Sequence, residues 1–190
     1  GEYDVDVSFP LYSYNNPIAK SILKKVLTEE TNGLFMRSGF SNLVKEDKTK
    51  SKGNYKYAYG ARYERGEWKY HEYPHIHQFL PKVIMSSMRK FRPFYDEGEI
   101  GIEDLTHYLL VKNKKEADFF INIINSDLGL FLQKMFTIDF WDPKTIARYN
   151  NAFPYSKIKI SEENIDTEEK MYKHFHLTKE EIEYLKNSIS

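Results

Sequence analysis

Pro81 to Val111 reads PKVIMSSMRKFRPFYDEGEIGIEDLTHYLLV, and this stretch decides the fold. Val83-Ile84-Met85 is apolar without alternation, as in a strand covered on both faces. Ser86-Ser87-Met88-Arg89-Lys90-Phe91-Arg92 then interleaves cations with apolar residues. Asp96-Glu97-Gly98-Glu99 is turn chemistry, and Ile100, Ile102 and Leu105 to Val111 return to strand character. Gly98 and Gly101 suit points where a side chain would obstruct a tight reversal or a bulge. The stretch therefore predicts strands that display a basic, partly aromatic loop, a surface suited to an anionic partner.

Upstream, Tyr55, Tyr57 and Tyr59 alternate with Lys56 and Ala58 as a half-exposed strand does. Glu64-Arg65-Gly66-Glu67 reads as a hairpin turn, Trp68 to Tyr73 as the returning strand, and Pro74 as its end. The preceding run, Lys45 to Gly53, is a polar loop. Earlier still, Asn16-Pro17 pairs an N-cap with proline at the first helical position. Ile18, Ile22, Leu23, Val26 and Leu27 then repeat at helical spacing up to a stop at Asn32-Gly33. Gly1 to Tyr14 alternates as a strand or an arm would.

Downstream, Phe120, Ile121, Ile124, Leu128, Phe131, Leu132 and Met135 form one apolar stripe, predicting a single helix over 116–136. Asp142-Pro143 predicts a short helix. Asn150 to Ile160 is irregular and then strand-like. Asp166 to Glu169 and Thr178 to Glu181 each place a carboxylate three residues after a capping side chain, predicting two closing helices. The expected fold is α+β: a twisted, mainly antiparallel sheet packed by helices 17–32 and 116–136 in residues 1–160. A small helical appendage, residues 161–190, follows it.

Lys and Arg number 28, as do Asp and Glu, so the formal charge of the 190 residues is zero. The zero is a cancellation. Arg37 to Tyr95 holds 13 cations against 5 carboxylates, an excess of +8, whereas Asp96 to Asp104 holds 5 carboxylates and no cation. A partner meets a face and not a sum, so this asymmetry outweighs the total. The absence of cysteine excludes disulfides and thiolate metal sites. No apolar run reaches the ~18–20 residues of a membrane span, and the first residues lack a leader pattern. These features predict a soluble, cytoplasmic chain without membrane contact.

The basic set comprises Lys48, Lys50 and Lys52 on the polar loop, Lys56, Arg62, Arg65 and Lys69 on the hairpin, and Lys82, Arg89, Lys90 and Arg92 around the central loop. Duplex DNA presents dense phosphate charge, so several cations on one face can bind it. Arginine also reads guanine bidentately in the major groove. His71, His75 and His77 have the residue type of a zinc site, yet Pro74 breaks a helical spacing and no supporting carboxylate can be assigned. They read as ordinary strand-end histidines. Asp47 with Glu67-Trp68-Lys69 loosely matches the acid…acid-x-lysine pattern of magnesium-dependent nucleases. A protein-interaction module is the third reading. There is no glycine-rich phosphate loop and no G-x-S-x-G elbow.

Three of these segments recur together in a known family. Pro81-Lys82-Val83-Ile84-Met85-Ser86, then Tyr95-Asp96-Glu97-Gly98-Glu99-Ile100-Gly101-Ile102, then Ile124-Asn125-Ser126-Asp127-Leu128, resemble in order the target-recognition region of adenine-specific restriction–modification methyltransferases. Leu177 to Leu185 resembles the helix that often ends those chains. The resemblance implies a module that reads duplex DNA while a separate domain, in cis or in trans, flips adenine and methylates it from S-adenosylmethionine. That domain's (Asn/Asp)-Pro-Pro-(Tyr/Phe) motif has no counterpart here, since Asn15-Asn16-Pro17-Ile18 and Asn151-Ala152-Phe153-Pro154-Tyr155 both depart from it. The cofactor-binding glycine motif is missing too. Catalytic, cofactor and metal residues are therefore not expected in this sequence. On this reading Lys48, Lys50, Lys52, Lys56, Lys82 and Lys90 hold phosphates, and Lys69 adds charge on the hairpin. Arg62, Arg65, Arg89 or Arg92 read base edges, with Tyr55, Tyr57 or Trp68 in support.

Overall fold

A computed structural model describes residues 16–30, 32–33, 36–38, 53–86, 92–136, 155–161 and 163–189. In chain order these form α1 (Pro17–Val26), β1 (Met36–Ser38), β2 (Tyr55–Ala58), β3 (Lys69–His71), β4 (Lys82–Ser86), β5 (Phe94–Asp96), β6 (Ile100–Ile102) and β7 (Thr106–Leu110). Helices α2 (Lys114–Ile124), α3 (Asp127–Phe136), α4 (Glu168–His174) and α5 (Lys179–Ile189) follow. The class is α+β, as expected. The strand or arm read into residues 1–14 and the helix read at Asp142-Pro143 lie outside the described residues.

Where a single sheet was expected, the strands make two. One is four-stranded and antiparallel, in the order β1-β7-β4-β5; the other runs β3-β2-β6. The β2–β3 hairpin is antiparallel, with Tyr55 opposite His71, but β2 pairs with β6 in parallel, Lys56 opposite Ile100. Glu103–Leu105 carries the chain from the second sheet into β7 of the first. That crossing is held by Thr106, whose hydroxyl accepts from the Gly60 amide and donates to the Ala58 carbonyl.

All five residues of β4 are buried, which explains its unbroken apolar reading. Val83 and Met85 join α1, α2, α3, α4 and α5 in the larger core, while Ile84 meets Ala58, Ile100, Ile102 and Tyr108 between the sheets. The four-stranded sheet is thus the middle layer. Each such side chain, fully buried, contributes about 1.5–3 kcal/mol.

Two helix boundaries differ from the spacing-based expectation. Asn16 caps α1 through its side chain, accepting from the amides of Ile18 and Ala19. The helix then ends at Val26, because Thr28 donates to Lys157 O and Lys159 donates to Val26 O, drawing the chain into extended pairing. Asn32, read as a stop, instead donates through its amide to Tyr155 O and Ile158 O. The expected helix over 116–136 breaks at Asn125-Ser126. Ser126 Oγ donates to Ile123 O at 2.7 Å and accepts from Gly129 N at 3.1 Å, ending one helix and starting the next.

The closing helices form as predicted and share the main core through Met171, Tyr172, Phe175 and Leu185. Glu181 completes a reciprocal cap with Thr178 and also accepts from Ser21 and Lys25 of α1. The first cap falls one residue later than read, on Thr167, which accepts from Lys170 N.

Candidate nucleic-acid interface

The β2–β3 hairpin is closed by a 3₁₀ turn at Arg62–Arg65 and by Gly66 in the left-handed region. Arg62 and Arg65 are exposed on this tip. Aromatic rings support three of its cations. Lys56 Nζ lies 3.8 Å over Trp68, Lys69 Nζ lies 3.8 Å over Tyr59, and the Arg62 guanidinium lies 4.8 Å over the same Tyr59. Such contacts draw a cation over the face of the ring.

Carboxylates hold Lys69 as well, and two further cations. Lys69 donates to Glu103 Oε1 at 2.6 Å, Arg65 makes a bidentate pair with Glu67, and Arg92 pairs with Glu64. In β2 and β3, Lys56 stands opposite Tyr70 and Tyr57 opposite Lys69. Neighbouring side chains alternate across a ribbon, so Lys56 and Lys69 face opposite sides of it. Among the described residues, the cations expected to share one face are thus divided between the two sides and the tip of one hairpin. Lys48, Lys50, Lys52, Arg89 and Lys90 lie outside the described residues.

Lys82 does not belong to this surface. Its side chain is 0% exposed and its ammonium is 2.7 Å from Asp96 Oδ2. It also donates to the carbonyls of His77, Gln78 and Leu80. Four acceptors for three N–H bonds leave nothing for a phosphate. Burial pushes its pKa down, opposed by the hydrogen bond and charge of Asp96. Asp96 itself accepts from the amides of Glu99 and Ile100, fixing the turn that the sequence placed at 96–99. Gly98 there adopts φ +122, and a Cβ would lie 2.8 Å from the Phe79 carbonyl carbon.

The histidines do not converge. His71 faces Glu103 at 3.5 Å, and His77 Nδ1 is 2.8 Å from Tyr108 Oη. His75 is buried, accepts from His77 N, and has its pKa lowered to about 4 by burial, with the His77 and Lys82 charges adding. Among the described residues no three His, Cys, Asp or Glu side chains are grouped to hold a metal ion. Of the nuclease pattern, Asp47 lies outside the described residues, Glu67 is engaged by Arg65, and Lys69 turns to Glu103.

Tyr57 is buried and donates to Tyr73 O, its phenol pushed up to about 12 by burial and by Glu103. Tyr55 stands edge-on to Phe79. Between the hairpin tip and the β5–β6 turn lies an open groove of about 650 Å³, floored by Tyr63, Trp68 and Phe94. Tyr63, on its lining, donates to Arg92 O at 2.7 Å. Comparison with protein-family models, curated proteins and solved structures finds no match.

Sequence reasoning missed two features of this site. Glu103, buried, accepts from Lys69 and faces His71; its only advance signal was its place among the 96–104 carboxylates. Phe94 completes the aromatic floor, and the Pro93-Phe94-Tyr95 run after the basic loop was the available hint. Among the described residues no helix is long and apolar enough to cross a membrane.

Proposed function

We propose that this chain reads a sequence in double-stranded DNA on behalf of an adenine-N6 methyltransferase or restriction–modification enzyme. The catalytic domain, with its S-adenosylmethionine, is a separate partner in cis or in trans. The observation that supports this best is the hairpin: a two-stranded ribbon with Arg62 and Arg65 exposed at its tip and with Lys56 and Lys69 propped on aromatic rings. B-DNA's major groove admits a two-stranded β-ribbon, and arginine is its commonest base-reading side chain. On this reading Arg62 and Arg65 meet base edges, with Arg65 exchanging Glu67 for guanine, while Lys56 lies along phosphates and Lys69, held by Glu103, braces the ribbon. The order of sequence motifs shared with the methyltransferase recognition regions supports the same assignment.

Selection from a randomised duplex library, followed by fluorescence anisotropy across a salt series, tests it. An enriched site is expected. Arg62→Ala is expected to cost about 1–3 kcal/mol at that site and to relax one base position. Lys56→Ala is expected to weaken all sequences alike and to lower the log-salt slope by about 1. Arg89→Ala and Lys90→Ala are expected to divide in the same way. Failure to enrich any sequence, with no salt-dependent duplex affinity, refutes the assignment.

A further inference from the structure

The groove beside the hairpin has the wrong charge for nucleic acid. Glu64 is neutralised by Arg92 and Asp96 by Lys82, which leaves Glu97 and Glu99, both exposed and without an ion pair among the described residues. Two carboxylates at the rim of a groove floored by Tyr63, Trp68 and Phe94 repel phosphates. They attract cations, which gain from an aromatic face as well as from the carboxylate. Outside the groove, the Trp68 ring already carries one cation, Lys56 Nζ, 3.8 Å from the ring centroid. The groove's volume of about 650 Å³ accommodates an extended side chain with its flanking backbone.

From these features we infer that the groove is a docking site for an arginine side chain presented by a basic segment of a partner protein. A guanidinium is planar, so it can lie flat on the aromatic floor while its N–H groups reach Glu97 and Glu99. An ammonium satisfies only the charge. Asn125, also exposed on the lining, supplies an amide for the segment's backbone. This inference does not rest on the DNA reading, and each can fail alone.

The full chain is titrated with a blocked pentapeptide, Gly-Arg-Gly-Arg-Gly, while the Trp68 indole N–H is followed by NMR; Trp141→Phe assigns the signal. Saturable shifts are expected at peptide concentrations up to about 1 mM. The citrulline analogue, with the same shape and no charge, is expected to bind at least about tenfold more weakly, as is Glu97→Gln/Glu99→Gln protein with the arginine peptide. Both residues are exposed, and circular dichroism checks that the variant is folded. Citrulline binding equal to arginine, or unchanged affinity in the double variant, overturns the inference. So does the absence of a Trp68 shift.

Discussion

Replacing Lys82 with methionine tests the central polar contact of the fold. The substitution keeps the aliphatic stem and deletes an ammonium that is 0% exposed. It strands the Asp96 carboxylate, which retains only the Glu99 and Ile100 amides at 3.1 and 3.3 Å. It also removes the donor shared by three carbonyls at 2.8–3.1 Å. Breaking a buried ion pair from one side costs about 3–5 kcal/mol, a large share of the ~5–15 kcal/mol available to a domain. Asp96→Asn is milder, about 1–3 kcal/mol, because the amide oxygen still accepts and the ammonium keeps its carbonyls. If the two act as a unit, the double variant loses less than the sum of the single losses, with a coupling of about 1–3 kcal/mol. Urea unfolding followed by far-ultraviolet circular dichroism measures all four proteins, with the denaturant slope confirming a common unfolded state. A loss below about 1 kcal/mol for Lys82→Met, or additivity within about 0.5 kcal/mol, refutes the assignment of this contact.

Three further outcomes follow from the same geometry. His75, with its pKa lowered from 6.5 to about 4, stays neutral when folded while the unfolded chain takes up a proton. Stability should therefore fall as pH drops from about 6.5 towards 4, by about 2 kcal/mol, and His75→Asn should flatten that part of the profile relative to the natural chain. Glu181→Ala removes a helix cap and two side-chain links between α5 and α1, so a loss of about 2–3 kcal/mol in chemical denaturation is expected. A Cβ at Gly101 would lie 2.7 Å from the Tyr57 ring and 2.9 Å from Gln78 Oε1, both buried; Gly101→Ala should cost about 1–3 kcal/mol by thermal unfolding.

Local signals were legible where local chemistry decides. Asn16-Pro17, the unbroken run in β4 and the Thr178–Glu181 cap all declared themselves, because each depends on residues within one turn or one strand. The break at Ser126 was hidden by an apolar stripe that continues through it, since Phe120, Ile124, Leu128 and Phe131 face one core on both sides of the kink. Lys82 was misplaced for a different reason. A lysine reads as surface until its partner is known, and Asp96 arrives only through the antiparallel register that sets the two opposite each other. The second sheet was equally out of reach, because the parallel pairing of β2 with β6 joins residues more than forty apart in the chain. Of the hairpin site, its strands and turn were readable from alternation and Gly66. The division of its cations between two sides was not, because it depends on cross-strand register.

The parallel pairing has one mechanical outcome. Since β6 runs directly into β7, the hairpin is bolted to the middle sheet through both backbone pairing and the Ala58–Ile84–Ile102–Tyr108 packing, and does not swing as a tethered arm. Whatever meets its tip encounters a ribbon whose tilt is already fixed by the body of the protein. Little freedom is then surrendered on association, and mismatched partners cannot be accommodated by bending.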